Sequence, residues 1–182
     1  MSELHTSRLV VTVPPAAEPI TLAEAKRFLR IEHDADDTLI RQAICVVREA
    51  VEAYLGYALL PQTLEYKLDY PTACVVALPR GPITAITSVT STDENGVNTV
   101  WAGTNYRASS DGFSVLLKQH PYAAVLTIAY TASLADTASA LPALIRQGML
   151  HHLAVAYEAR DGSVPMPMMS VQCYAPFRRI SL

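Results

Sequence analysis

The stretch that decides the fold is residues 36–57, DDTLIRQAICVVREAVEAYLGY. Its apolar residues recur at intervals of three and four and form one stripe, which predicts a long amphipathic helix that ends at Gly56. A shorter helical pattern precedes it at residues 20–31, ITLAEAKRFLRI, and a third follows at residues 141–160, LPALIRQGMLHHLAVAYEAR. We expect the three apolar stripes to pack together as a small helical bundle.

Acidic residues crowd the start of the long helix at Asp34, Asp36 and Asp37. A calcium loop requires glycine at its sixth position and glutamate at its twelfth, and neither is present. Aspartates cap free N–H groups and favour the positive end of the helix dipole, so the cluster predicts a helix start instead of a metal or acid/base site. Thr21 and Glu24 have the spacing of a capping box for the shorter helix.

The hydrophobic period changes after the long helix. Residues 62–69, QTLEYKLD, alternate strictly, which predicts a half-buried strand, and β-branched segments with an Asn95-Gly96 turn continue to about residue 132. The predicted class is α+β: a small helical bundle with helices near 21–31, 37–56 and 141–160, an antiparallel β insertion between the second and third helices, and an extended C-terminal tail. Within one structural domain, the segments are 1–61 (arm and helices), 62–138 (insertion), 139–162 (third helix) and 163–182 (tail).

Composition and motifs predict no catalytic, cofactor or metal site, and therefore no enzyme. At 51% hydrophobic and 17% charged residues the 182-residue chain can bury a core, and its net charge of −3 argues against binding nucleic acid through its whole surface. Three cysteines without C-x-x-C indicate reduced thiols in a cytosol, and no apolar stretch is long enough for a membrane span. His151 and His152 point about 100° apart on a helix and cannot share a metal. No G-x-S-x-G, G-x-G-x-x-G or G-K-[ST] motif occurs.

The last segment, residues 163–182, has three prolines and several apolar residues but no sustained period. One interpretation is a docking peptide for a partner protein, whose extended prolines lower the entropy lost on binding. Its anchors are then Met168, Val171, Tyr174 and Phe177, with Arg178 and Arg179 meeting an acidic group or phosphate. The other interpretation is a strap packed against the protein's own helices.

An ordered series of motifs runs along the chain. It comprises T-L-x-E-A-K at 21–26, L-R-[IV] at 29–31, the acidic cluster at 34–37, E-A-[VA]-E-x-[YF]-x-G at 49–56 and L-x-x-Q-T at 59–63. LPRGPITAITSVT at 78–90, the A-x-x-Y-E ending of the third helix and YAPFRRISL at 174–182 extend it. Together these motifs resemble the phage head–tail connector (adaptor) family, which long-tailed double-stranded DNA phages, prophages and gene transfer agents share.

The resemblance implies a structural protein of the virion neck, present in the host cytoplasm before assembly. Copies would form a ring, commonly of twelve subunits, whose C-terminal segment, including Pro176 of the A-P-[YF]-R motif, docks on the portal protein. Head-closure or tail proteins would bind the opposite side, and DNA would pass through the channel without specific binding. Two alternatives stay open: a head-closure (stopper) protein, and a small enzyme or ligand-binding domain that uses the β insertion as a pocket.

Overall fold

A computed structural model of the protein describes residues 6–159 and 166–178. The chain divides into two compact units, each built from two separate pieces of sequence. The sheet unit consists of Met1–Ala16 and Pro61–Leu134, and the helical unit consists of Ala17–Leu60 and Ala135–Leu182.

The sheet unit contains two antiparallel sheets. Its strands are β1 (Ser7–Val13), β2 (Gln62–Asp69), β3 (Val75–Ala77), β4 (Ile83–Thr92), β5 (Asn98–Val100), β6 (Tyr106–Ala108), β7 (Ser114–Leu117) and β8 (Val125–Ala132). The larger sheet has the order β1-β2-β8-β4-β5, and the smaller sheet has the order β3-β7-β6. Both sheets are antiparallel throughout, and short turns join the consecutive strands β4 and β5, and β6 and β7.

The central strand β8 shows why these residues form a sheet. Its sequence VLTIAYTA alternates strictly between half-buried and buried positions, so that Leu126, Ile128 and Tyr130 face the core of the unit. β8 pairs along its whole length with β2 in an unbroken register from Gln62–Ala132 to Asp69–Val125. The hydroxyl group of Tyr130 donates to the backbone carbonyl of Arg80 at 2.9 Å, which gives this buried polar atom a partner.

The helical unit contains α1 (Leu22–Leu29), α2 (Asp37–Leu55), α3 (Ala143–Glu158) and α4 (Met168–Tyr174). Helices α1, α2 and α3 contact one another, and α4 packs on α3. The buried stripe of α2 lies against buried residues of α3, as the periodicity predicts. The buried apolar residues of these two helices are Ile40, Ile44, Val47, Val51 and Leu55 on α2, and Ile145, Met149 and Leu153 on α3.

The predicted small helical bundle with a β insertion and an extended tail is wrong, although the mixed α+β content is right. The strands form two sheets in a compact unit of their own, and residues 7–13, assigned to an N-terminal arm, supply the edge strand β1 that pairs with β2. The tail is not extended, because residues 168–174 are helical. None of the helices in the described part of the chain is long and apolar enough to cross a membrane.

Candidate interaction surfaces

The predicted capping residues of α1 lie together at its first turn. The hydroxyl oxygen of Thr21 accepts the backbone N–H of Glu24 at 3.2 Å, and the Glu24 carboxylate accepts the backbone N–H of Thr21 at 2.9 Å. Glu24 also forms an ion pair with Arg146 of α3. The Thr21 N–H, and secondarily Arg146, hold the pKa of Glu24 below its ordinary value. The cap therefore also ties α1 to α3.

The three aspartates at the start of α2 contact side chains of neighbouring helices. Asp36 occupies the N-cap position, but its side chain makes no capping bond and instead accepts the Tyr157 hydroxyl group of α3 at 2.5 Å. Lys26 of α1 donates to Asp34 at 2.6 Å and to Asp37 at 2.8 Å. Among the described residues, no group of acidic, histidine or cysteine side chains is arranged to hold a metal ion. Because Lys26 belongs to α1 and Tyr157 to α3, the contacts of these three aspartates join α1, α2 and α3.

A buried charge network, which the sequence did not reveal, lies on α2. Arg48 is 3% exposed and Glu52 is fully buried, and their side chains pair at 3.2 Å, one turn apart. Arg48 also pairs with Glu18 at 2.9 Å, and Glu52 accepts the backbone N–H of Leu59 at 2.9 Å. Such pairing satisfies charges that would be costly to bury alone. The i, i+4 spacing of arginine and glutamate in VVREAVEA was the only signal of it in the sequence.

The adjacent histidines of α3 occupy different environments. His152 is buried, and desolvation lowers its pKa because burial penalises the charged imidazolium. The ring of His151 packs edge-on against the ring of Phe28 of α1. Both side chains thus belong to the packing of the helical unit.

The C-terminal helix α4 packs in a notch on α3. Tyr174 is fully buried over Gly148, where an added Cβ would lie 2.5 Å from a ring carbon of Tyr174. The hydroxyl group of Ser170 donates to the backbone carbonyl of Gly148 at 2.8 Å. The Tyr174 ring also contacts the ring of Tyr54, and the Arg178 guanidinium lies 5.4 Å from the centre of the Tyr54 ring. Aromatic and polar contacts therefore fix the orientation of α4.

The residues expected to anchor the tail on a partner differ in their exposure to solvent. Tyr174 is buried within its own chain and is not on the surface. The side chains of Met168 and its neighbour Met169 are 71% and 56% exposed, Pro176 and Arg178 are exposed, and Val171 and Phe177 are partly exposed. Arg179 lies outside the described residues. Of the two interpretations of the tail, packing on the protein's own helices therefore applies to one side of α4, and the side that carries Met168 and Met169 is exposed in the described part of the chain.

Comparisons with known proteins agree with this architecture. The family model for head completion proteins matches residues 18–157. The fold is similar to a chain in the neck of an empty gene transfer agent (GTA) particle computed with C6 symmetry, with a TM-score of 0.78, 22% identity and 97% of both chains covered. A chain in the virion of a native GTA particle is also similar, with a TM-score of 0.76, 22% identity and 96% of both chains covered. A chain in the neck of a native GTA particle computed with C12 symmetry has a TM-score of 0.71, 25% identity and 97% of both chains covered. No curated protein matches significantly.

The fold and the family model define a structural protein that acts in the connection of head and tail in a phage-like particle. The chain belongs to the head completion protein family. The resemblance to head–tail connector proteins that the sequence motifs indicate is thereby confirmed, and so is the connector role.

Proposed function

We propose that the protein forms a ring in the particle neck, between the portal protein and the head-closure or tail proteins. The observation that carries this proposal is the family match over residues 18–157, together with a fold that covers 97% of chains from GTA necks. In this proposal the ring has twelve copies of the chain, and the protein is in the host cytoplasm before the particle assembles. The role requires no catalytic residue. A net charge of −3 is compatible with a DNA channel, because a chain without excess positive charge does not bind the DNA phosphates strongly as they pass.

The C-terminal segment, residues 163–182, supplies the portal contact through the exposed side of α4. Because Tyr174 and Ser170 hold the opposite side of this helix on α3, Met168 and Met169 are already oriented outward. A preoriented surface loses less entropy on binding than a free peptide. Methionine side chains adapt to irregular apolar pockets, so the complementary portal surface is an apolar groove.

Arg178 adds a charged contact at the edge of this surface. The aromatic ring of Tyr54 supports its guanidinium, which leaves the side chain exposed and limits its motion. A guanidinium presented in this way pairs with a carboxylate. We therefore place an acidic residue of the portal protein beside the apolar groove.

The test is binding of purified chain to isolated portal rings. Replacing Met168 and Met169 together by glutamate removes two apolar contacts of about 1.5–3 kcal/mol each, so affinity should fall at least about 100-fold. Val46→Glu is the matched control, because Val46 is 56% exposed on α2 and lies about two helical turns from Tyr54, the residue of α2 that contacts Tyr174. Thermal unfolding should be unchanged in both variants. Portal binding of the double variant within a factor of about two of the control would exclude this docking surface.

A further inference from the structure

A second surface lies at one end of the larger sheet. β2 and β4 both end there, opposite Val125 at the start of β8. The loops that follow β2, follow β4 and precede β8 enclose a groove of about 420 Å³. Among the residues that the structure describes, neither α4 nor any other part of the proposed portal contact contributes to this groove.

Backbone hydrogen bonds hold the groove in a preformed shape. The N–H of Tyr70 donates to the carbonyl of Ala124 at 2.8 Å, and the N–H of Ala124 donates to the carbonyl of Thr92 at 2.9 Å. The Asp93 carboxylate accepts the N–H groups of residues 95 and 97 and fixes the turn after β4. Tyr70 has a φ of +45°, an unfavourable conformation for a non-glycine residue that these bonds maintain.

The lining of the groove combines exposed aromatic rings with carboxylates. Tyr122 is 89% exposed and Tyr70 is 54% exposed. The centres of the His120 and Tyr122 rings are 4.5 Å apart. Exposed tyrosines of this kind are typical anchors of protein interfaces. Of the described residues that line the groove, Asp93 and Glu94 carry negative charge, and none is a lysine or an arginine. Two carboxylates repel the phosphates of DNA and attract a cation.

We propose that this groove binds an extended segment of another particle protein that carries an arginine beside apolar residues. The guanidinium group of this arginine pairs with the exposed carboxylate of Glu94. Because it is planar, it also stacks against the rings of Tyr70 and Tyr122. The apolar neighbours of the arginine cover Tyr122. The protein then has two distinct contacts within the particle: the methionine side of α4 and this groove.

The experiment is a titration of the full isotope-labelled chain, followed by NMR, with the peptide acetyl-Leu-Arg-Pro-Leu-Arg-amide. We expect chemical-shift changes concentrated at residues 93–94 and 120–124. The same peptide with glutamate at both arginine positions should bind at least about tenfold more weakly, because its carboxylates would face Asp93 and Glu94 instead of pairing with them. Glu94→Lys and Tyr122→Ala should each weaken binding of the arginine peptide about tenfold or more.

Glu32→Lys is the matched charge control, because Glu32 is an exposed residue of the helical unit, and it should bind the arginine peptide as the wild type does. Both groove substitutions change exposed side chains, and unchanged thermal unfolding would verify that they fold. Absent shifts at the groove, or equal affinity for the glutamate peptide, would overturn the proposal. Portal binding through α4 is measured separately, so failure here leaves that result intact.

Discussion

Replacing Gly148 by alanine tests how α4 is held on α3. An alanine Cβ at this position would lie 2.5 Å from one ring carbon of Tyr174, 2.9 Å from a second and 3.0 Å from the Cβ of Cys173. Ordinary carbon–carbon contacts are about 3.5–4.0 Å, so the ring must move by roughly 1 Å. Tyr174 is fully buried at the end of α4, so a movement of its ring displaces packed neighbours or shifts the helix.

Two effects of opposite sign decide the result. Alanine in a helix interior is about 0.5–1 kcal/mol more favourable than glycine, whereas overpacking a core costs about 1–3 kcal/mol. We expect the steric term to dominate, with a net loss of about 1 kcal/mol in the free energy of unfolding. For a protein of this size that corresponds to a fall of about 2–4 °C in the melting temperature.

The assay is urea unfolding of four proteins: wild type, Gly148→Ala, Tyr174→Ala and the double variant. In the Tyr174→Ala background most of the obstruction is absent, so adding Gly148→Ala should be neutral or stabilise by up to about 1 kcal/mol. The effect of the alanine thus changes sign with the identity of residue 174. If Gly148→Ala stabilises the protein when Tyr174 is present, α4 does not occupy the notch and the reasoning is refuted.

Two further predictions concern the charged residues of the helical unit. Arg48→Met leaves Glu52 buried without its cation and should lower the free energy of unfolding by about 3–5 kcal/mol. The control Arg41→Met changes an exposed residue of α2 and should alter the free energy of unfolding little. Equal effects of the two substitutions in urea unfolding would contradict the role of the Arg48–Glu52 pair. Glu24→Ala should cost about 1 kcal/mol at neutral pH. Because the folded-state pKa of Glu24 is lowered from 4.5, its contribution is present above that pH and is lost as pH falls through the folded-state value. The difference between Glu24→Ala and wild type should therefore narrow in acid, and a gap that stays constant down to pH 3 would contradict the linkage.

Periodicity was sufficient to locate α1 and α2, because both helices are strongly amphipathic and the signal is local, whereas the apolar residues of α3 are less confined to one face. The capping pair Thr21 and Glu24 was visible for the same reason, since both partners lie within one turn. The sheet of the protein was only partly visible. The alternation of residues 62–69 indicates a strand, but nothing local shows that residues 7–13 pair with it across more than fifty residues.

The interaction surfaces depend on contacts between distant residues, which one sequence does not reveal. Helix α4 spans Met168–Tyr174, too short for a clear helical period, and its position is decided by a glycine on α3. The aspartates at the start of α2 had the composition of a helix cap, yet Lys26 and Tyr157 bind them from other helices. The sheet-end groove brings together three loops whose residues carry no motif.

The most direct test of the proposed function is a reconstruction of the assembled particle neck at side-chain resolution. We predict a ring of this chain in which Met168 and Met169 lie in an apolar groove of the portal protein, while Tyr174 remains over Gly148 of its own subunit. A ring in which these two methionines face solvent, and another surface of the chain contacts the portal protein, would contradict it.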